Sequence, residues 1–183
     1  LSGGTGNSLL KMDGVKLCAF SDGMFISAIT SAQLGKKGAL VDVGHHSIGI
    51  AQAFEDVDGE EGALDITGEY LGKVRASSSS RHAKTKVSKV ALSSDLETLN
   101  FGRNVILENH AKLDLSGASK TFVCETLSLG EEGLAVTIAL DEDDEIVVSR
   151  SGGFSAGNCR FEFTSSDVVG SYSLIKVKGE LDG

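Results

Sequence analysis

Apolar and polar residues alternate in short runs along most of this chain of 183 residues. Residues 113–115 read Leu-Asp-Leu, residues 127–129 read Leu-Ser-Leu and residues 136–138 read Val-Thr-Ile. An alternation with a period of two is typical of a β-strand that buries one face and exposes the other. The runs are short and end at glycines, where the backbone turns easily, so the pattern predicts an all-β fold of short strands.

The alternating apolar pairs recur at a nearly constant spacing of 23 to 25 positions within two groups. The pairs are Val41/Val43 and Leu64/Ile66 in the first group, and Leu113/Leu115, Val136/Ile138 and Phe161/Phe163 in the second. A period in the low twenties is typical of a solenoid in which coils of strands and turns stack on one another. We therefore predict a right-handed parallel β-helix of about seven or eight coils, with a β-sandwich as the alternative. The β-helix places Leu113, Val136 and Phe161 in one interior column.

Composition favours a backbone that is paired almost throughout. The chain has no proline, which cannot donate a hydrogen bond to a strand ladder, and 23 glycines, about twice the usual share. Residue 1 is Leu, and the phrase at 8–14 resembles the phrase at 173–179. We therefore expect residues 1–183 to be a single β-solenoid segment cut from a longer chain.

Charge and hydropathy limit the partners. The net charge of −9 disfavours nucleic acid and anionic membrane surfaces as general partners. No apolar run approaches the roughly 18 residues of a membrane span, so we expect no direct membrane insertion of this segment. Residues 73–90 break the pattern with a run of serines between basic residues, and they predict a mobile, solvated loop projecting from the stack. The alternative is an electrostatic contact with the chain's own acidic surface or with an anionic glycan.

The three cysteines, Cys18, Cys124 and Cys159, lie far apart and lack the spacing of a metal site. One disulfide with one thiol left over is possible. The alternative is three buried free thiols that act as small apolar side chains.

One acidic run is a candidate calcium site. Residues 141–145 are five consecutive acids, and carboxylates clustered at a turn are suitable ligands for Ca²⁺, which takes six to eight oxygens. The candidate ligands are Asp141, Asp143, Asp144 and Glu145. The alternative is a solvated turn that prevents edge pairing. Apart from calcium, the sequence predicts no cofactor.

Outward-facing acids provide a catalytic alternative. Asp42, Asp65 and Asp114 each lie between the residues of an alternating apolar pair, so they point outward from the predicted coils. Paired carboxylates can act as general acid and base on a polysaccharide. The period of 23 places Asp42 and Asp65 about 5 Å apart on neighbouring coils. No nucleophile elbow or zinc-protease motif is present, so the sequence leaves enzyme activity open.

The phrases AKLDLSGASKTF, TLSLGEEGLAVTIAL and SYSLIKVKGELDG resemble the passenger region of bacterial autotransporters. That resemblance, carried by the repeat style over residues 101–183 and 36–72, implies a secreted right-handed parallel β-helix at the bacterial cell surface or outside the cell. It also implies a role in adhesion or surface display, with a host or environmental glycan or protein as the partner. The alternatives are a β-helical polysaccharide lyase or hydrolase and a carbohydrate-binding β-sandwich module.

Overall fold

The structure, a computed structural model, describes residues 7–117, 120–130, 134–164 and 175–177. These residues form short strands joined by turns and include no helix. In chain order the strands are β1 Leu9–Met12, β2 Val15–Cys18, β3 Gly23–Ile26, β4 Ser31–Leu34, β5 Ala39–Asp42, β6 Ser47–Ile50, β7 Phe54–Asp56, β8 Ala63–Ala76, β9 Lys84–Ser94, β10 Thr98–Leu99, β11 Asn104–Glu108, β12 Lys112–Asp114, β13 Thr121–Cys124, β14 Thr126–Leu129, β15 Val136–Leu140, β16 Glu145–Val148, β17 Phe154–Ala156, β18 Cys159–Phe163 and β19 Ile175–Val177.

The strands stack into the three faces of a parallel β-solenoid of about six turns. The first face contains β1, β4 and β7 at one end and β10, β13, β16 and β19 at the other. The second face contains β2, β5, β11, β14 and β17, and the third contains β3, β6, β12, β15 and β18. The long strands β8 and β9 run through both the second and the third face.

All the strand pairs between described residues are parallel. This confirms the predicted solenoid and excludes the β-sandwich, whose sheets are antiparallel. The described residues form about six turns, where about seven or eight coils were predicted for the whole chain.

The interior is made of stacked aliphatic columns, as the alternation predicts. One column on the third face contains Ile48, Val74, Leu92, Leu113, Ile138 and Phe161. The prediction is right for Leu113 and Phe161, but wrong for Val136, which lies opposite Cys159 while Ile138 takes its place. Steps along this column range from 18 to 26 positions, because the corners between strands differ in length.

The basic, serine-rich stretch at 73–90 is mostly strand, so the prediction of a loop over this whole range is wrong. Residues 73–76 end β8 and residues 84–90 lie in β9, where alternate side chains are buried and the lysines and arginine face outward. In the connecting residues, Ser78 Oγ donates a hydrogen bond to a backbone carbonyl of an earlier coil at 3.1 Å. Ser80 Oγ accepts one from a backbone N–H at 3.1 Å. The serines therefore replace missing ladder bonds.

Candidate binding groove and buried polar layer

A groove of about 370 Å³ opens on the third face, where β3, β6, β8 and β9 lie side by side. We call it the Lys73 groove. Its lining residues are Gly23, Met24, Ser47, Ile48, Gly49, Lys73, Arg75 and Ser93. A volume of this size lies at the lower end of the range for small-molecule sites.

The groove depends on the outward-facing position of Gly49 between Met24 and Arg75. A Cβ atom at Gly49 would lie 3.0 Å from the Met24 sulfur, so the absent side chain leaves room for the thioether against the strand. Met24 is 59% exposed and forms an apolar wall of the groove. The groove therefore combines an apolar wall with a floor that has no side chain at Gly49.

The opposite wall is positively charged. Lys73 and Arg75 point outward from β8, two residues apart. The Arg75 guanidinium forms an ion pair with the Asp95 carboxylate, which also accepts a hydrogen bond from Ser77 Oγ at 3.2 Å. Lys73 has no ion pair with any other residue in the described ranges. Among the described side chains, the ammonium group of Lys73 is therefore without a counter-charge.

Lys73 differs in this respect from the basic residues aligned with it. Lys112 and Arg160 occupy the same outward column of the third face. Lys112 Nζ lies 3.4 Å from Asp114, two residues on, and Arg160 Nε lies 3.4 Å from Glu162, again two residues on. At the corresponding place after Lys73, the chain has a second cation instead of an acid. The coil that contains the groove has therefore lost the local neutralisation found in the other two.

The acidic run at 141–145 forms the turn between β15 and β16. Asp144 is buried, and its two carboxylate oxygens accept hydrogen bonds from the backbone N–H groups of Lys120, at 2.8 Å, and Asp141, at 2.6 Å. Burial raises the pKa of Asp144. This carboxylate therefore organises the turn and joins it to the preceding coil.

The other predicted calcium ligands point to different partners. Asp141 Oδ2 accepts a hydrogen bond from the backbone N–H of Gly117 at 2.7 Å, Glu145 pairs with Lys176, and Asp143 is exposed. In the part of the chain that the structure describes, no group of three or more His, Cys, Asp or Glu side chains is arranged to hold a metal ion. Calcium binding by Asp141, Asp143, Asp144 and Glu145 stays a prediction for a solution test.

The outward acids do not form the predicted facing pair. Asp65 lies opposite Leu40 and Lys86, because the true step between these coils is 25 positions and not 23. Asp42 instead forms an ion pair with Lys16 at 3.0 Å, and this hydrogen bond lowers the pKa of Asp42. Asp114 belongs to the third face. The structure therefore does not place Asp42 opposite Asp65, and Asp114 lies on a different face.

A buried polar layer interrupts the aliphatic interior. Its members, Ser80, His82 and Thr85, are fully buried. His82 Nε2 lies 2.7 Å from Thr85 Oγ1, and the Thr85 hydroxyl donates to the Phe101 carbonyl. The hydrogen between the two side chains therefore belongs to Nε2. Nδ1 has no hydrogen-bond partner among the described residues. Burial lowers the pKa of His82 to about 4, although the nearby Asp56 carboxylate raises it.

Asp56 joins three consecutive coils beside this layer. Its Oδ1 accepts hydrogen bonds from the backbone N–H groups of Gly62, at 2.9 Å, and Ala83, at 3.0 Å, and its Oδ2 accepts one from Arg103 at 3.0 Å. Sequence reasoning missed this layer. The available signal was Thr85, which alternates with lysines in a way that turns its side chain inward.

The cysteines are free thiols, so the disulfide alternative is not realised. Cys124 is buried, and burial raises the pKa of its thiol to about 12. Cys18 and Cys159 are half-buried. Cys124 therefore acts as an apolar side chain in the core.

Among the described residues, no helix has the length and apolarity needed to cross a bilayer. Comparison of the chain with protein-family models, curated proteins and solved structures finds no match.

Proposed function

We propose that this chain is a segment of a secreted or cell-surface bacterial β-helical protein, and that it acts in adhesion or surface display by binding a glycan or a protein. The observation that carries this proposal is the Lys73 groove, which four adjacent strands build on a repeated face. Coils stacked about 4.8 Å apart hold outward side chains in a fixed array, which suits contact with an extended ligand. The repeat style resembling autotransporter passengers supports the same location.

Binding is favoured over catalysis by the charges available. A glycosidase requires two carboxyl groups that act together across the scissile bond. The residues that line the groove include two cations and no carboxylate. Of the acids beside it, Asp95 is paired with Arg75, and Asp22 accepts a hydrogen bond from the backbone N–H of Ser47 at 2.9 Å and lies 3.3 Å from His46 Nδ1. Asp42, in turn, is neutralised by Lys16. A ligand in this groove would meet charge and apolar surface, and none of the lining residues is a carboxylate.

The test is an adhesion assay combined with a degradation assay. Beads coated with the purified chain are washed over surfaces bearing acidic glycans, neutral glycans or extracellular matrix proteins. We expect retention on at least one surface beyond that of beads coated with the heat-unfolded chain. We also expect no release of reducing ends or unsaturated sugars from the glycans. Equal retention of folded and unfolded chain on every surface would refute a role in adhesion, and release of fragments would support the enzyme.

A further inference from the structure

We propose that the Lys73 groove binds a carboxylate-bearing sugar of an acidic polysaccharide. This inference rests on the proposed function, because it names the class of ligand that the binding face takes. The ligand carboxylate pairs with the Lys73 ammonium, and the Met24 side chain packs against the apolar face of the sugar ring. The hydroxyls of Ser47 and Ser93 also line the groove and can contact polar groups of the sugar.

The charge argument comes from comparing aligned positions within this chain. Lys112 and Arg160 are each satisfied by an acid two residues on, at 3.4 Å. The residue two positions after Lys73 is Arg75 instead of an acid, and Arg75 forms an ion pair with Asp95. The Asp22 carboxylate, beside Ser47, is engaged by the Ser47 backbone N–H and by His46, so among the described residues Lys73 has no acid paired with it and can take an anion from outside. A charge-assisted hydrogen bond to Lys in a partly enclosed groove is stronger than a neutral one.

The amount of charge and the volume select the class of anion. One unpaired ammonium matches a sugar chain with one carboxylate per few units, whereas nucleic acid requires many phosphate contacts and the whole chain carries −9. A folded protein partner would need roughly 800 Å² of surface on this side, and a groove of about 370 Å³ instead fits one or two sugar units.

The experiment measures equilibrium binding of short oligosaccharides to the purified chain by calorimetry, because short ligands avoid avidity. The probe is a hyaluronan hexasaccharide, which has carboxylates and no sulfate. The neutral control is chitohexaose, which shares the N-acetylglucosamine but has no carboxylate. We expect the hyaluronan oligosaccharide to bind, binding to weaken as salt rises, and chitohexaose to bind at least 10-fold more weakly.

Two variants isolate the groove. Lys73→Gln removes the unpaired charge from an exposed position and should weaken binding by about 10-fold without changing the thermal midpoint. Lys112→Gln removes the aligned charge that Asp114 already neutralises, and it should change binding by less than about 2-fold. Equal losses in both variants, unchanged binding in Lys73→Gln, or equal binding of both oligosaccharides would overturn the inference.

Failure of the inference is distinguishable from failure of the proposed function. Beads that adhere to a matrix protein or a neutral glycan, while the hyaluronan oligosaccharide does not bind, would overturn the carboxylate site and leave adhesion standing. If the oligosaccharide binds and this binding depends on Lys73, the carboxylate site is supported even when coated beads are not retained on any surface. Failure of the beads to be retained would then count against adhesion and not against the carboxylate site.

Discussion

The fully buried imidazole of His82 predicts an acid-sensitive fold. Its folded-state pKa is held at about 4 by burial, whereas an unfolded histidine titrates near 6.5. Below pH 6.5 the unfolded chain therefore binds a proton that the folded chain does not take up until about pH 4. Stability from this group is fully present above pH 6.5 and is lost as the pH falls toward 4.

The size of the effect follows from the difference between the two pKa values. Each unit corresponds to about 1.4 kcal/mol, so this residue alone should remove about 3 kcal/mol of the free energy of unfolding between pH 7 and pH 4. Two charged neighbours act in opposite directions on the imidazolium, because Asp56 favours it and Arg103 disfavours it. Desolvation is larger than either of them.

The assay is urea unfolding at pH 7, 6, 5 and 4 for the parent chain, His82→Leu and His110→Leu. His82→Leu removes the titrating group, so its free energy of unfolding should fall by about 3 kcal/mol less than that of the parent over this range. His110 is exposed in a turn, and its replacement is the control for loss of a histidine at the surface. The carboxylates titrate in all three proteins and cancel in the comparison. Parallel curves for the parent and His82→Leu would refute the reasoning.

Gly38→Ala should lower the free energy of unfolding by about 4 kcal/mol, because φ is +65° and the new Cβ would lie 2.3 Å from a carbonyl oxygen of the next coil. Gly59→Ala, with φ +75° and nothing within 4 Å, should cost only about 1 to 2 kcal/mol, and equal losses on urea unfolding would contradict the close approach. Brief alkylation at pH 8 followed by mass spectrometry should label Cys18 and spare Cys124 until the chain is unfolded; early labelling of Cys124 would contradict its burial. Asp144→Asn should lower stability by about 2 kcal/mol, because an amide can accept only one of the two backbone hydrogen bonds. A thermal midpoint that Ca²⁺ raises in the parent and not in this variant would support the calcium prediction, and equal midpoints with Ca²⁺ and with chelator would contradict it.

The architecture was predictable because it depends on alternation, which is local. Leu113, Asp114 and Leu115 already indicate which side chains face inward, and the absence of proline agrees with strands paired on both edges. The register between neighbouring strands was harder to predict from the sequence. Ile138 and Val136 both face inward and differ by one step of the alternation, so the sequence offers either as the partner of Leu113. The lengths of the corners between strands determine which of the two residues pairs with Leu113, and these lengths vary from coil to coil.

The candidate groove was not predictable from local patterns. Gly49 is one of 23 glycines, and Lys73 belongs to a run of basic residues that looks uniform in the sequence. The difference between Lys73 and Lys112 appears only when strands from distant parts of the chain are aligned in the stack. The same basic run predicted a loop, and Thr85 faces inward only because the run forms a strand instead.

We expect the buried polar layer to restrict how neighbouring coils can be aligned. Coils with similar aliphatic columns can pair one coil out of step and still bury most of their apolar surface. Such a slip would take Thr85 away from the Phe101 carbonyl and leave its hydroxyl hydrogen without an acceptor among hydrocarbon, at a cost of about 1 to 3 kcal/mol. The contact between His82 and Thr85 lies within one coil and would move with it. A single buried asparagine selects the register of a coiled coil in the same way. The coil that contains Ser80, His82 and Thr85 therefore has a polar interior that favours one alignment with the coil that follows it.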